Sequence, residues 1–266
     1  YFVLKIISIH AFASFILYFF ISNNLVSITS NEKDVYDTFR HVFYYAPERG
    51  LVNIFGLEFC RNQGLFWEPG ILQIYINLLF FIEAFIIKKN KWLLFLSIFL
   101  ILTTYSTTGL LLLLIQVIVY MKSEIHKHKI MLPVILILLI PIYLVFNLNI
   151  DNKFQGDKES SFQKRMFDFT QPFFIALEHP ITGIGLDLIE FQKVRQEFYI
   201  SSNKLQSVNT ALGIDAKFDT TNKGSSNSIM FLLACTGFPT TILLLYMLIK
   251  QQIITQKKWL FLTIII

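Results

Sequence analysis

The chain is 266 residues long, 54% hydrophobic and 16% aromatic, with a formal net charge of +5. Its apolar residues fall in long runs rather than amphipathic stripes, which excludes an ordinary soluble domain, and the alternating pattern of a membrane barrel is absent. About half of the lysines sit in short links beside those runs, so the positive excess reads as membrane orientation rather than nucleic-acid binding.

In chain order, the first run, 1–21, is long enough to cross a hydrocarbon core of about 30 Å as a helix. No small-residue cleavage pattern follows its apolar part, so it reads as a span rather than a signal peptide. A polar loop, 22–70, leads to a second span at 71–87. Residues 92–121 then lie between the basic links KKNK (88–91) and KSEIHKHK (122–129), and TTYSTTG (103–109) interrupts them midway. A single helix there would leave one basic link on the wrong face, so two short helices, 92–105 and 108–121, are predicted. Another span follows at 130–148, then a second polar loop, 149–227, and a span at 228–249. A basic link, KQQIITQKK (250–258), precedes the start of one more apolar segment at 259–266.

The positive-inside rule places the three basic links in the cytoplasm, and parity then puts loops 22–70 and 149–227 on the outer face. The predicted fold class is all-α: a multi-pass helical membrane bundle with two large external loops containing short amphipathic helices. Both chain ends are apolar, so 1–266 reads as one transmembrane domain of a longer protein. In the second loop, SFQKRMFDFTQPFFIALEH (161–179) sets Phe162, Met166, Phe169, Phe173 and Leu177 at helical spacing. That face is expected on the membrane surface, with Arg165 and Asp168 on the polar side and a kink or restart at Pro172.

Ionisable groups are scarce within the spans: Lys5, His10 and Glu83. Glu83 reads as snorkelling or pairing with Lys88 rather than as a proton site. Cys60 lies in the first loop and Cys235 in a span, and neither has a partner at metal-ligand spacing. All five arginines, Arg40, Arg49, Arg61, Arg165 and Arg195, fall in the two loops, whereas the basic links use lysine alone. Arginine presents a rigid fork suited to phosphate and carboxylate, while lysine is a hydrated point charge. The densest constellation is RNQGLFWEPG at 61–70, just before a span. Pro69 suits the first position of the following helix, with Glu68 at or beside the cap. Phe66 and Trp67 suit the headgroup level, and Arg61 is near enough to Glu68 to line one pocket mouth. His41 and His179 read as structural or solvated, and Gly183 and Gly185 as turn formers.

RNQGLFWEPG, the YSTTG break, Arg165 upstream of HPITGIG (179–185) and SNSIMFLLACTG (226–237) occur in an order that resembles the O-antigen polymerase and O-antigen ligase superfamily. The resemblance covers roughly residues 60–245. It implies a membrane glycosyltransferase of C-type architecture on the outer face of the bacterial cytoplasmic membrane. Such an enzyme takes a glycan from an undecaprenyl-pyrophosphate carrier and needs neither cofactor nor metal. Its implied partners are that lipid-linked glycan, membrane lipid, and a chain-length regulator and a flippase; nucleic acid is not among them. By the same resemblance Arg61 and Arg165 hold the pyrophosphate, and Glu68 orients or deprotonates the acceptor hydroxyl. Arg49, Arg195, Trp67, Ser226 and Asn227 are the further substrate-binding candidates. Ser226 stands where ligases carry a histidine, and the STTG break lacks the arginine of the ligase motif. Both departures weaken the ligase reading and leave the general base open. A flippase, which would carry its arginines at mid-membrane, is the reading from another class.

Overall fold

The computed structural model describes residues 1–21, 26–30, 34–39, 43–45, 51–54, 57–66, 68–125, 140, 143–144, 147, 159–212, 225 and 227–265. The candidate residues Arg49, Trp67 and Ser226, together with Arg40, His41 and most of the expected span 130–148, lie outside the described residues. The chain divides into two compact units, residues 1–150 with 254–265, and residues 151–253.

The first unit is a helical bundle with a strand-bearing loop. Helix α1 covers Phe2–Ile21 and α2 covers Pro69–Phe81, which widens into a π-helical turn at Ile82–Ile87. Helix α3 runs from Lys91 to Thr104 and α4 from Thr107 to Ile125. Helix α1 and the joined α2 and π turn are each long and apolar enough to cross a membrane, whereas α3 and α4 are shorter apolar helices. Helix α2 packs against α1, α3 and α4, and the core between them includes Ala11, Leu72, Ile76, Phe80, Leu100 and Leu113.

Loop 22–70 corrects the expectation of short helices there. Its described part forms strands: β1 (Val26–Ser30), β2 (Asp34–Phe39) and β3 (Phe43–Tyr45) make one antiparallel sheet. A hairpin follows, β4 (Leu51–Ile54) with β5 (Leu57–Cys60). The β-branched and aromatic residues of VSITS, DVYDTF and FYY favour a pleated backbone over a helix. Strand β5 ends at Cys60, so the hairpin hands the chain directly to Arg61.

Where α2 meets α4, a side chain on Gly109 would come within 2.8 Å of Gln73, so glycine is what permits the close approach. Beside it Gln116 Nε2 donates to Asn77 Oδ1 at 2.7 Å, and Asn77 Nδ2 donates to Gln73 Oε1 at 2.9 Å. Amides buried in a lipid-embedded bundle need partners of this kind, because no water reaches them. Glu83 closes the KKNK link instead of pairing with Lys88. Its carboxylate accepts the backbone N–H groups of Lys89 and Asn90 and the hydroxyl of Tyr1.

The second unit is built on α5 (Glu159–Glu178), α6 (Leu188–Ser201), α7 (Asn203–Ala211) and α8 (Ser228–Lys250). Helix α5 continues through Pro172 as one element, so of the kink or restart expected there the restart does not occur. Proline lacks an N–H, so the carbonyl four residues earlier, that of Asp168, loses its helical donor. Ser225 Oγ donates to that oxygen at 3.3 Å.

Helix α8 is long and apolar enough to cross a membrane, and it is broken at Gly237, whose φ of 75° and ψ of 176° are non-helical. The break frees three groups. Pro239 supplies no donor to the carbonyl of Cys235, and the turned backbone parts the Phe238 N–H from the carbonyl of Ala234. The turn after α5 satisfies all three. Ile184 N donates to Ala234 O at 3.0 Å, Gly185 N to Cys235 O at 2.9 Å, and Phe238 N to Pro180 O at 2.8 Å. The fit needs glycine on both sides. A Cβ on Gly183 would lie 2.3 Å from the Cys235 backbone, and one on Gly237 would lie 2.5 Å from the Ile181 carbonyl oxygen.

Gly183→Ala is therefore expected to prevent closure of the α8 break and to abolish recovery of monodisperse protein from detergent-solubilised membranes. Gly185 has φ of +95° but no atom within 4 Å of a built Cβ. Gly185→Ala should fold at a cost of about 1–2 kcal/mol from backbone strain alone, read as a lowered thermal midpoint in detergent. Equal effects of the two substitutions would contradict the interlocked packing.

Candidate functional site

Each unit brings two of the sequence motifs together. In the first, RNQG seats on the break between α3 and α4. Helix α3 ends at Tyr105 in the left-handed region, with φ of 46°, and its last carbonyls have no helical partner. Asn62 N donates to Thr103 O at 3.0 Å, and Arg61 Nε donates to Thr104 O at 2.9 Å. Asn62 Nδ2 also reaches Thr103 Oγ1 at 3.1 Å and Ala11 O at 3.0 Å, tying the loop to α1. Gly64, with φ of 57°, turns the chain so that its N–H meets Asn62 Oδ1 at 3.0 Å. A guanidinium at the C-terminus of a helix also meets the negative end of its dipole.

Arg61 is half-buried and Glu68 exposed. Glu68 occupies the cap position of α2, with extended backbone and Pro69 as the first helical residue, and its side chain makes no cap hydrogen bond. The carboxylate leans over Gly70, where a Cβ would lie 3.2 Å from Oε1. The motif therefore delivers an arginine and a carboxylate from opposite ends of one short, tightly held loop.

In the second unit Arg165 is exposed on the first half of α5 and has no ion-pair partner among the described residues. Asp168, expected on the polar side with it, is fully buried. The side chain that meets it is Arg195, also fully buried, whose Nη2 lies 2.9 Å from Asp168 Oδ1. Arg195 Nε donates to Gln171 Oε1 at 2.6 Å, and Gln171 Nε2 returns a bond to the Arg195 carbonyl at 2.9 Å. The guanidinium lies 5.4 Å from the ring centroids of both Phe167 and Phe191. Burial pushes the Arg195 pKa below its ordinary value, while the charge and hydrogen bond of Asp168 oppose that shift. Arg195 thus clamps α6 to α5 from within.

Asn227 is the N-cap of α8, its Oδ1 accepting from Met230 N at 3.1 Å. Its own N–H donates to Ser225 Oγ at 3.1 Å, and Ser225 is the residue that reaches Asp168 O. The start of α8 is thereby fixed to the helix that carries Arg165. Asn62, Gln171 and Ser225 are the residues that sequence reasoning did not single out. A signal for Gln171 was present, since Asp168 and Gln171 are three apart on one helical face with Phe167 and Ile175. Asn62 and Ser225 act through backbone groups distant in sequence and leave no such pattern.

The fold and these junctions define a multi-pass helical membrane protein whose polar loops seat on helix breaks. Residues 92–245 match the family described as O-antigen ligase (Wzy_C). The match takes in more than half of the chain, and the chain belongs to that family. It contains Arg165, Arg195 and Asn227; Arg61 and Glu68 precede it. No curated protein and no solved structure matches the chain. Membership brings ligase- or polymerase-type enzymatic activity in a membrane, with lipid-linked glycan as the class of substrate.

Truncating one member of a buried ion pair leaves the other charge unpaired and costs about 3–5 kcal/mol, whereas an apolar pair of similar volume is near neutral. Arg195→Met should therefore lower the thermal midpoint in detergent sharply, and adding Asp168→Leu should recover most of the loss. A single variant as stable as the parent would contradict the clamp.

Proposed function

We propose that the chain polymerises undecaprenyl-pyrophosphate-linked oligosaccharide repeat units into O-antigen, capsular or exopolysaccharide at the outer face of the cytoplasmic membrane. The observation that carries this reading is the bond from Arg61 Nε to Thr104 O, which fixes the arginine of RNQGLFWEPG on the TTYSTTG break. A guanidinium held in this way is preorganised for an anion, so little reorganisation is needed when charge develops on a leaving pyrophosphate.

In the reaction, an acceptor sugar hydroxyl attacks the anomeric carbon of the donor glycan. A new C–O bond forms, the bond from that carbon to the pyrophosphate oxygen breaks, and its electron pair leaves with the lipid pyrophosphate. Arg61 and Arg165 take up the pyrophosphate charge, and Glu68 orients the acceptor hydroxyl or accepts its proton. Arg49, Trp67 and Ser226 remain candidates for holding the glycan. Arg195 contributes by fixing α5, which carries Arg165, and Asn227 by fixing the start of α8. A chain-length regulator and a flippase are the protein partners that such a polymerase works beside.

Ser226 in place of the ligase histidine, and Ser106–Gly109 without the ligase arginine, favour polymerase over ligase. The family's own description keeps ligase as the second reading, in which the acceptor is a lipid A core.

Arg61→Lys keeps the charge and loses the fork. With the variant present at parental levels in membranes, long surface polysaccharide should fall by about a hundredfold or more, the scale of losing one transition-state donor. Single repeat units should accumulate on the carrier at the outer face. Unchanged long chains would sink the role of Arg61. Units trapped at the inner face would indicate a flippase, and long chains that fail to join the core would indicate the ligase.

A further inference from the structure

Helix α8 has 23 residues, and at about 1.5 Å per residue it matches a hydrocarbon core of about 30 Å. Its break at Gly237 lies nine residues beyond Ser228, roughly 14 Å along that axis. Two attachments show that α5 runs beside α8 in the same direction. Asp168 O meets Ser225 at the start of α8, and Pro180 O meets Phe238 at the break. Helix α6 then returns antiparallel, since Arg195 packs back on Asp168 and Gln171. The turn between the two helices is therefore held near the middle of α8.

The surface of this hairpin agrees with that depth. Phe169, Phe173 and Leu177 are exposed along α5, and the turn region exposes Ile181 by 72%, Leu186 by 66% and Ile189 by 74%. The backbone groups freed at the α8 break all have partners, which is obligatory only where water is absent. We infer that α5, the turn and α6 form a re-entrant hairpin that enters the bilayer beside α8 and presents this apolar ladder to lipid acyl chains. It rests on α8 crossing the membrane and not on the polymerase reading.

Glu178, His179, Asp187 and Glu190 are also exposed near the turn. Ionisable groups at that depth require water or protein around them, so the hairpin as inferred sets these four in an aqueous cleft. Arg165 and Glu197 lie at the mouth, towards the ends of α5 and α6 remote from the turn.

The test uses the full chain in phosphatidylcholine–phosphatidylglycerol vesicles, with bimane attached to Ile181→Cys or to Glu197→Cys. The parent chain, whose Cys60 and Cys235 are buried, supplies the background. Nitroxide lipids labelled deep or shallow in the acyl chain are then compared as quenchers. At Ile181 the larger loss of fluorescence is expected from the deep nitroxide, with little loss from either at Glu197. Stronger quenching at Ile181 by the shallow nitroxide, or by neither, would overturn the inference. So would failure of a membrane-impermeant maleimide to modify Glu190→Cys, because the cleft would then be absent.

Discussion

Backbone carbonyls that no helix can satisfy organise both halves of this protein. At the end of α3 they belong to Thr103 and Thr104, within α5 to Asp168, and within α8 to Ala234 and Cys235. An unpaired peptide group in a lipid environment costs several kcal/mol, so each must find a donor from elsewhere in the chain. The donors come from the polar segments RNQG, Ser225 and HPITGIG. Prolines and glycines that would weaken an ordinary helix thus act here as docking points for loops.

This constraint explains why the polar loops hold definite positions beside apolar helices. Arg61 is oriented because its Nε caps α3, and Asn227 because it caps α8 and is tied through Ser225 to α5. The arginines consequently divide by physical role. Arg195 is enclosed between two phenylalanines and spends its donors on Asp168 and Gln171. Arg165 stands exposed on the helix that Arg195 clamps, and Arg61 is half-buried on the break after α3. The proposed role of Arg61 and Arg165 in binding a lipid-linked pyrophosphate rests on this second kind of placement, on segments whose backbone is held by the rest of the fold.

Much of this was legible in the sequence, for identifiable reasons. Long apolar runs report spans directly, because the hydrocarbon core sets their length. The TTYSTTG interruption marked the division between α3 and α4, and Pro69 marked the start of α2. The strands of loop 22–70 were not legible. They are short, and their aromatic residues serve equally well as headgroup anchors or as strand formers. The burial of Asp168 was hidden because its partner lies twenty-seven residues away on another helix. A charged residue on an amphipathic stretch reads as solvated until that partner is known. Pro172 likewise read as a kink or a restart, since the serine that donates to the Asp168 carbonyl it orphans is distant in sequence.

The closure of the α8 break is the most direct measure of this account. Hydrogen–deuterium exchange of the membrane-embedded protein, followed in peptides covering 180–186 and 233–240, reports the amides of Ile184, Gly185 and Phe238 individually or in small groups. If those amides bond to Ala234, Cys235 and Pro180 as described, they should exchange as slowly as the helical amides of α5. Exchange at the rate of an exposed turn would contradict it, and with it the idea that loops seated on broken helices position the polar groups of this protein.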